Sequence, residues 1–204
     1  MITTNQGFFL LKSRLTKAIQ QEILAAARAV VRSAPLFRPS MPNGQYFNYS
    51  MTNCGDLGWV ADRHGYRYQQ VHPHTFKVFP AMPQVIKNLA IVIAKETGNN
   101  DFHPQSCLIN LYRKGEKLGL HQDNTEENKN APIISISLGD SGIFILGGLM
   151  RTDETKQYIV QSGDIIVMGG ESRNFFHAFK GTVPNTSNLL KDGGRLNLTI
   201  RQVN

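Results

Sequence analysis

Cysteine is scarce in this chain. Its 204 residues hold two, Cys54 and Cys107, too few for a disulfide framework and without the spacing of a zinc motif. Both are expected to be buried, reduced thiols. Long apolar runs are missing as well. Nothing approaches membrane-spanning length, and Phe8-Phe9-Leu10-Leu11, ahead of Lys12 and Arg14, is too short for the core of a signal peptide. A cytoplasmic protein without membrane attachment is the expectation. Runs of basic residues are also absent, none being longer than Arg113-Lys114. The formal charge of +7 is therefore a diffuse field, compatible with an anionic partner but not a basic tail. Hydrophobic residues make up 41% and charged residues 18%, which excludes a disordered chain. Repeats and low-complexity tracts are lacking, and a single domain over residues 1–204, working as a monomer, is expected.

What is present falls into two parts. Residues 14–33 read as a helix: Leu15, Ala18, Ile19, Ile23, Ala26, Ala27, Val30 and Val31 keep helical spacing until Pro35. "MPQVIKNLAIVIAKETG" predicts a second helix with Pro83 in its first turn and Gly98 at its end. Between them, residues 36–80 are rich in Pro, Gly, Asn, Tyr and Arg and read as loops and short strands. From Cys107 onward come eight short candidate strands: "CLINLY", "KLGLH", "PIISISL", "GIFIL", "KQYIVQ", "DIIVM", "NFFHAF" and "RLNLTIR". Ser162-Gly163-Asp164 is expected to be a hairpin turn between two of them. So many strands without intervening helices predict a mainly β, jelly-roll core over residues 107–204, buttressed on one face by the two helices.

The chemistry begins with "LGLHQD". Alternate side chains of an extended segment share a face, so His121 and Asp123 point the same way. His177, near a later strand end, is the best-placed third ligand. Two imidazoles and a carboxylate on one side of a metal leave positions open, as in non-haem Fe(II) oxygenases, although zinc accepts the same donors. In "RLNLTIR" Arg195, Asn197, Thr199 and Arg201 lie on one face and Leu196, Leu198 and Ile200 on the other. An inward polar face with two guanidiniums calls for an anion. Six residues of strand span about 20 Å, so the two long side chains can close on a small dicarboxylate, one at each end. A solvent-facing edge strand would show the same alternation. Asn110 and Tyr112 share a face of an earlier strand and could bond the same dicarboxylate. His72-Pro73-His74 is expected in a solvent-exposed loop, and neither it nor His64 or His103 receives a role.

Together with "MTNCGDLGW", "AMPQ", "API", "SISLG", "GGL", "GGESR" and "FFHAF", these residues resemble the AlkB family of Fe(II)- and 2-oxoglutarate-dependent dioxygenases over about residues 7–204. The resemblance implies a double-stranded β-helix core. It implies that His121, Asp123 and His177 bind Fe(II), and that Asn110, Tyr112, Arg195, Asn197 and Arg201 hold 2-oxoglutarate beside a position for O2. It further implies oxidative demethylation of N-alkylated bases, of the 1-methyladenine/3-methylcytosine type, in single-stranded or base-flipped DNA or RNA, with release of succinate, CO2 and formaldehyde. Residues 36–80 then become a nucleotide-recognition lid, in which Trp59, Tyr66, Arg67 and Tyr68 meet substrate, aromatics on bases and arginines on phosphates. Arg151 matches a further substrate-side arginine. Thr125 stands where the family's repair enzymes have an acidic residue, with Glu126 and Glu127 following, and Met168 stands in place of a tryptophan. Both departures bear on base preference. Alternatives are a 2-oxoglutarate-dependent hydroxylase of a protein or small molecule, and a non-catalytic nucleic-acid-binding relative.

Overall fold

The computed structural model describes residues 2–4 and 6–204. Strands β1 (Ile2–Thr3) and β2 (Phe8–Leu11) precede helix α1 (Lys17–Ser33). Then come β3 (Ser50–Gly55), β4 (Gly58–Asp62), β5 (Gly65–Gln69) and helix α2 (Gln84–Glu96). Strands β6 (Ser106–Tyr112), β7 (Leu118–His121), β8 (Ile133–Gly139), β9 (Ser141–Leu146), β10 (Lys156–Val160), β11 (Ile165–Met168), β12 (His177–Val183) and β13 (Arg195–Arg201) complete the chain. Among the described residues they form a seven-stranded sheet ordered β1-β2-β11-β8-β13-β6-β3, a four-stranded sheet ordered β10-β9-β12-β7, and the separate ribbon β4-β5. The two larger sheets make the expected jelly roll, and every named strand pair is antiparallel.

The helices form where apolar spacing and end signals agree. Thr16 caps α1, its hydroxyl accepting from Ile19 N at 3.3 Å, and the buried stripe Ile23, Leu24, Ala27 and Val30 faces the large sheet. Pro83 is not in the first turn of α2. It is the residue before it, with an extended ψ of 137°. Gly98, at φ +87°, closes α2 by letting Asn99 N donate to Ala94 O at 2.8 Å. One core layer packs both helices against Leu196, Leu198 and Ile200 of β13 and Ile134, Ile136 and Leu138 of β8. The apolar face expected for β13 is thus the helix-facing one, and its polar face looks into the space between the sheets. A second cluster, including Phe8, Leu10, Ile133, Leu146 and Ile166, fills one end of that space.

Three further expectations are corrected, and one strand is added. Phe8–Leu11, for which the sequence predicts no element, is a strand paired with β11; a four-residue apolar run has no period that distinguishes it from a helix fragment or a loop. Ser162-Gly163-Asp164 is not a hairpin turn, because β10 and β11 lie in different sheets. It carries the chain across, and the buried Asp164 carboxylate accepts from Ser13 N and Gln161 N, each at 2.7 Å, and pairs with Lys12. The "NFFHAF" strand begins only at His177, since Gly170–Asn174 forms a 3-10 turn. His72 is buried, not exposed. Its Nε2 donates to Pro35 O at 2.8 Å, and its Nδ1 accepts from the backbone of His74 and Thr75, both at 3.2 Å. Burial lowers its pKa, which keeps the ring neutral. The segment 36–80 also divides: β3 joins the large sheet beside β6, and β4-β5 projects as a ribbon.

Candidate active site

Strands β7 and β12 pair with His121 opposite His177. Neighbouring strands therefore place the two imidazoles side by side, with ring centres 4.3 Å apart. Asp123, two residues beyond His121, brings its carboxylate 3.7 Å from His121 Nε2 and 3.9 Å from His177 Nε2. One ligand atom from each of the three lies within 4.8 Å of the others. The backbone sets the tautomers. His121 Nδ1 meets Gly119 O at 2.8 Å and His177 Nδ1 meets Phe175 O at 3.1 Å. A carbonyl accepts only from a protonated nitrogen, so in the neutral ring Nε2 is the nitrogen with the lone pair, turned toward the metal position. Burial, reinforced by His121, pulls the His177 pKa down to about 4, so this ligand is neutral at physiological pH. Burial pushes the Asp123 carboxyl up, but Arg201 followed by His177 and His121 overrides it, holding the group well below the usual carboxylate range. A deprotonated carboxylate and two unprotonated imidazoles are what Fe(II) requires.

The large sheet supplies the opposite wall. Arg195, Asn197, Thr199 and Arg201 of β13 all line a cavity of about 240 Å³, together with Asn110 and Tyr112 of β6. Register makes this wall: Asn197 is flanked by Asn110 on one side and Ser137 on the other. Arg201 donates to Asp123 Oδ2 at 2.6 Å, yet its Nε and Nη1 have no hydrogen-bond partner among the described residues. Arg195 is buried and forms no ion pair with a carboxylate among the described residues. It donates to Ser137 Oγ at 2.8 Å and lies over the Phe179 ring at 4.7 Å, while its Nε is unbonded. Burial draws its pKa down to about 10. A buried guanidinium without an anion is costly, and a dicarboxylate spanning Arg195 and Arg201 removes that cost. The unbonded Asn110 Oδ1 faces the same cavity. The residues present therefore fit both Fe(II) and 2-oxoglutarate. Asn197 is more of a strut than a ligand: its amide donates to Ser135 Oγ and Ile136 O and its carbonyl accepts from Thr199 Oγ1.

The ribbon contributes the third wall. Trp59 and Tyr66 line the cavity with planes 12° apart and centroids 5.7 Å apart. Trp59 Nε1 donates to Thr125 Oγ1 at 3.3 Å, and Thr125 is also a wall residue. The other substrate-side candidates lie outside the lining. Tyr68 donates to Glu126 Oε1 at 2.5 Å. Arg67 is spent on Asp62, in two bonds of 2.9 and 2.8 Å along its own ribbon. Arg151 is exposed, stacked over Phe176 at 5.6 Å.

Glu126, to which sequence reasoning gave no role, proves central. Fully buried, it accepts from Tyr68 and from Arg173 Nη2 at 2.8 Å, and lies 3.4 Å from Arg201 Nε. It thus ties the ribbon, the 3-10 turn and β13 together behind the metal ligands. Arg173 also donates to Asp123 O at 2.6 Å, which steadies the ligand-bearing segment. Neither residue carried a periodic signal. For Ser135 and Ser137, which the sequence analysis does not single out, the "SISL" alternation is the signal that places both on one face of β8. Tyr49, which packs tilted against Tyr112 with ring centres 4.8 Å apart and lines the cavity, lies in the segment 36–80 whose composition predicts loops and short strands and singles out no residue there.

Comparison with known proteins agrees with this geometry. The model of the 2OG-Fe(II) oxygenase superfamily matches residues 7–201. The alpha-ketoglutarate-dependent dioxygenase AlkB of Escherichia coli (strain K12) is 42% identical over 182 residues, covering 89% of this chain and 84% of that protein. The DNA N(6)-methyladenine demethylase ALKBH1D of Arabidopsis thaliana is 32% identical over 219 residues, 96% of this chain and 49% of its own length. Among solved structures, that of OsALKBH1 superposes with a TM-score of 0.83 at 30% identity, covering 98% of this chain and 99% of the other.

Proposed function

The chain belongs to the 2OG-Fe(II) oxygenase superfamily, and from that premise we propose that it oxidatively removes methyl groups from the nitrogens of nucleic-acid bases. One observation carries the reading: the parallel Trp59–Tyr66 pair opens onto the same cavity as His121, Asp123 and His177. Stacked aromatics receive a planar base, and a base within a duplex must leave the stack to reach them. The DNA demethylase named among the relatives supports the same substrate class.

Fe(II) with 2-oxoglutarate and O2 supplies the oxidising power, one oxygen atom entering a methyl C–H bond and the other leaving in succinate as CO2 is lost. This chain's residues do the placing. His121 and His177 would present Nε2, and Asp123 a carboxylate already ionised by Arg201. Arg195 and Arg201 would each take one end of the keto acid, with Asn110 and the Tyr112 hydroxyl between them and Asn197 holding the wall in register. Trp59 and Tyr66 would hold the base so that its methyl group faces the metal. The N–CH2OH product then collapses, its hydroxyl proton passing to solvent and the C–N electron pair to nitrogen as formaldehyde departs; the pair neutralises the nitrogen of a cationic base, and the nitrogen of a neutral base takes up a proton. Single-stranded or flipped substrate and a monomeric, cytoplasmic enzyme complete the reading.

The test is formaldehyde release from a methylated oligonucleotide in the presence of Fe(II), ascorbate and 2-oxoglutarate. Stoichiometric formaldehyde and succinate are expected. Turnover of 2-oxoglutarate stimulated only by peptides or small molecules would overturn the proposal.

A further inference from the structure

Arg195 is held at its tip, along its stem and at its root. At the tip, Nη2 donates to Ser137 Oγ at 2.8 Å, and Ser137 is steadied in turn by Gly163, whose N–H donates to Ser137 O at 2.8 Å. The stem passes Gly142, where a Cβ would come within 2.3 Å of the Phe179 ring and 3.1 Å of Arg195 Cδ. The bare glycine therefore leaves room for the guanidinium to lie over that ring. The root is less ordinary. Gly193 and Gly194, immediately before Arg195, are both left-handed, at φ +64° and +89°, so the chain turns sharply into β13 where the guanidinium has to be aimed.

One side chain pins that turn. Asp140 is buried at the corner where the chain leaves β8 in the large sheet for β9 in the small one. Its own N–H donates to Gly194 O at 2.7 Å, and its Oδ2 accepts from Gly194 N at 2.8 Å. Its Oδ1 accepts from Thr186 N at 3.0 Å and Ser187 N at 3.2 Å, which ties in the connection between β12 and β13. These amide donors offset the burial of the charge. Asp140 does not line the cavity, so its route to the cosubstrate runs through the backbone of Gly194 and then Arg195. Arginine is long, and a small tilt at its root becomes a large displacement at its tip, whereas a placed site tolerates only about 0.5 Å.

We propose that Asp140 is a positioning residue for the cosubstrate: by fixing the backbone at Gly194 it aims Arg195 at one carboxylate of 2-oxoglutarate. This rests on the placement of the keto acid against Arg195 given above, and not on the identity of the methylated substrate.

Asp140→Asn is the test, because an amide keeps the size but turns an N–H donor toward backbone N–H groups that need an acceptor. It should raise the Kd of 2-oxoglutarate by about tenfold, the scale of a small misplacement, in anaerobic calorimetry on the Fe(II)-loaded protein. KM for 2-oxoglutarate should rise in parallel, while Fe(II) affinity and kcat at saturating 2-oxoglutarate change little. The deciding readout is a cycle with Arg195→Met. Acting through Arg195, Asp140→Asn should weaken 2-oxoglutarate binding no further in the Arg195→Met background, whereas independent losses multiply. A multiplied loss, or a lower urea midpoint with 2-oxoglutarate affinity unchanged, overturns the inference and leaves Asp140 a role in folding alone. Asp140→Ser, which keeps a small acceptor, carries the same cycle if the amide variant does not fold. Should Arg195→Met itself leave 2-oxoglutarate binding untouched, the placement of the keto acid fails, and this inference with it.

Discussion

Strand β13 delivers Arg195, Asn197, Thr199 and Arg201 to the cavity from within a seven-stranded sheet, bonded on both edges to β6 and β8. Trp59 and Tyr66 come instead from a two-stranded ribbon whose side-chain ties to the segment after the metal ligands are Trp59–Thr125 and Tyr68–Glu126. The contrast matches the two tasks. An iron site and a five-carbon diacid need positions held to a fraction of an ångström, which a backbone ladder on a packed core provides. The ribbon is anchored at its base, where Val60 packs with Ala34 and Phe79 and the Asn53 side chain bonds Trp59 N and O. Tyr66, near its tip, is half exposed, a partly solvated surface on which a base can settle.

The sharpest way to test the sheet side is to remove a metal ligand. His177→Ala should reduce both 2-oxoglutarate turnover and demethylation by more than about 100-fold, exceeding the loss typical of outer-shell partners, and should weaken Fe(II) binding in an anaerobic titration. Arg201→Met leaves the Asp123 and Glu126 carboxylates without the cation between them. Breaking a buried pair in this way should cost about 3–5 kcal/mol, visible as a lower urea midpoint; an unchanged midpoint would mean that the sheet does not depend on this pairing. Arg195→Met differs because Arg195 has no carboxylate partner among the described residues. It should raise KM for 2-oxoglutarate roughly ten- to hundredfold, the loss of a charged hydrogen bond, with Fe(II) affinity and stability maintained.

On the ribbon side, Trp59→Ala should cost about 1–3 kcal/mol of oligonucleotide affinity, one stacking contact, and leave KM for 2-oxoglutarate unchanged. A matching rise in that KM would show the two walls to be one unit. The smallest effect is expected at Arg67→Ala, which breaks a half-exposed pair worth less than about 1 kcal/mol. Its pH dependence has a definite sign. Chiefly through its bond to Arg67, the Asp62 carboxyl is lowered from 3.8 to about 2. The contribution to stability is therefore complete above pH 3.8 and disappears as pH falls through 2. Thermal melts of wild type and variant should converge across that window.

Much of the cofactor wall could be read in advance because a strand's two-residue period sorts side chains by face. Leu196, Leu198 and Ile200 pack on the helices and their polar neighbours line the cavity. Glu126 and Arg173 could not be read that way. Each lies outside the named strands, and a buried carboxylate in an irregular segment resembles a surface residue until its partners arrive. His72 misled for the same reason: a loop composition gave no sign that Pro35 and two turn amides would satisfy the ring inside. Arg67 and Arg151 are the reverse case, basic residues in a substrate-like context that the fold leaves outside the cavity.

By itself the sequence determined the jelly-roll class, the two buttressing helices and the polar face of the last strand, since each is a periodic pattern over neighbouring residues. Only the tertiary structure decided that His177 stands opposite His121, that Glu126 is sealed behind the site, and that the Thr125 hydroxyl accepts from the Trp59 indole. Those facts depend on strand register and on contacts between distant segments, and no local period encodes them.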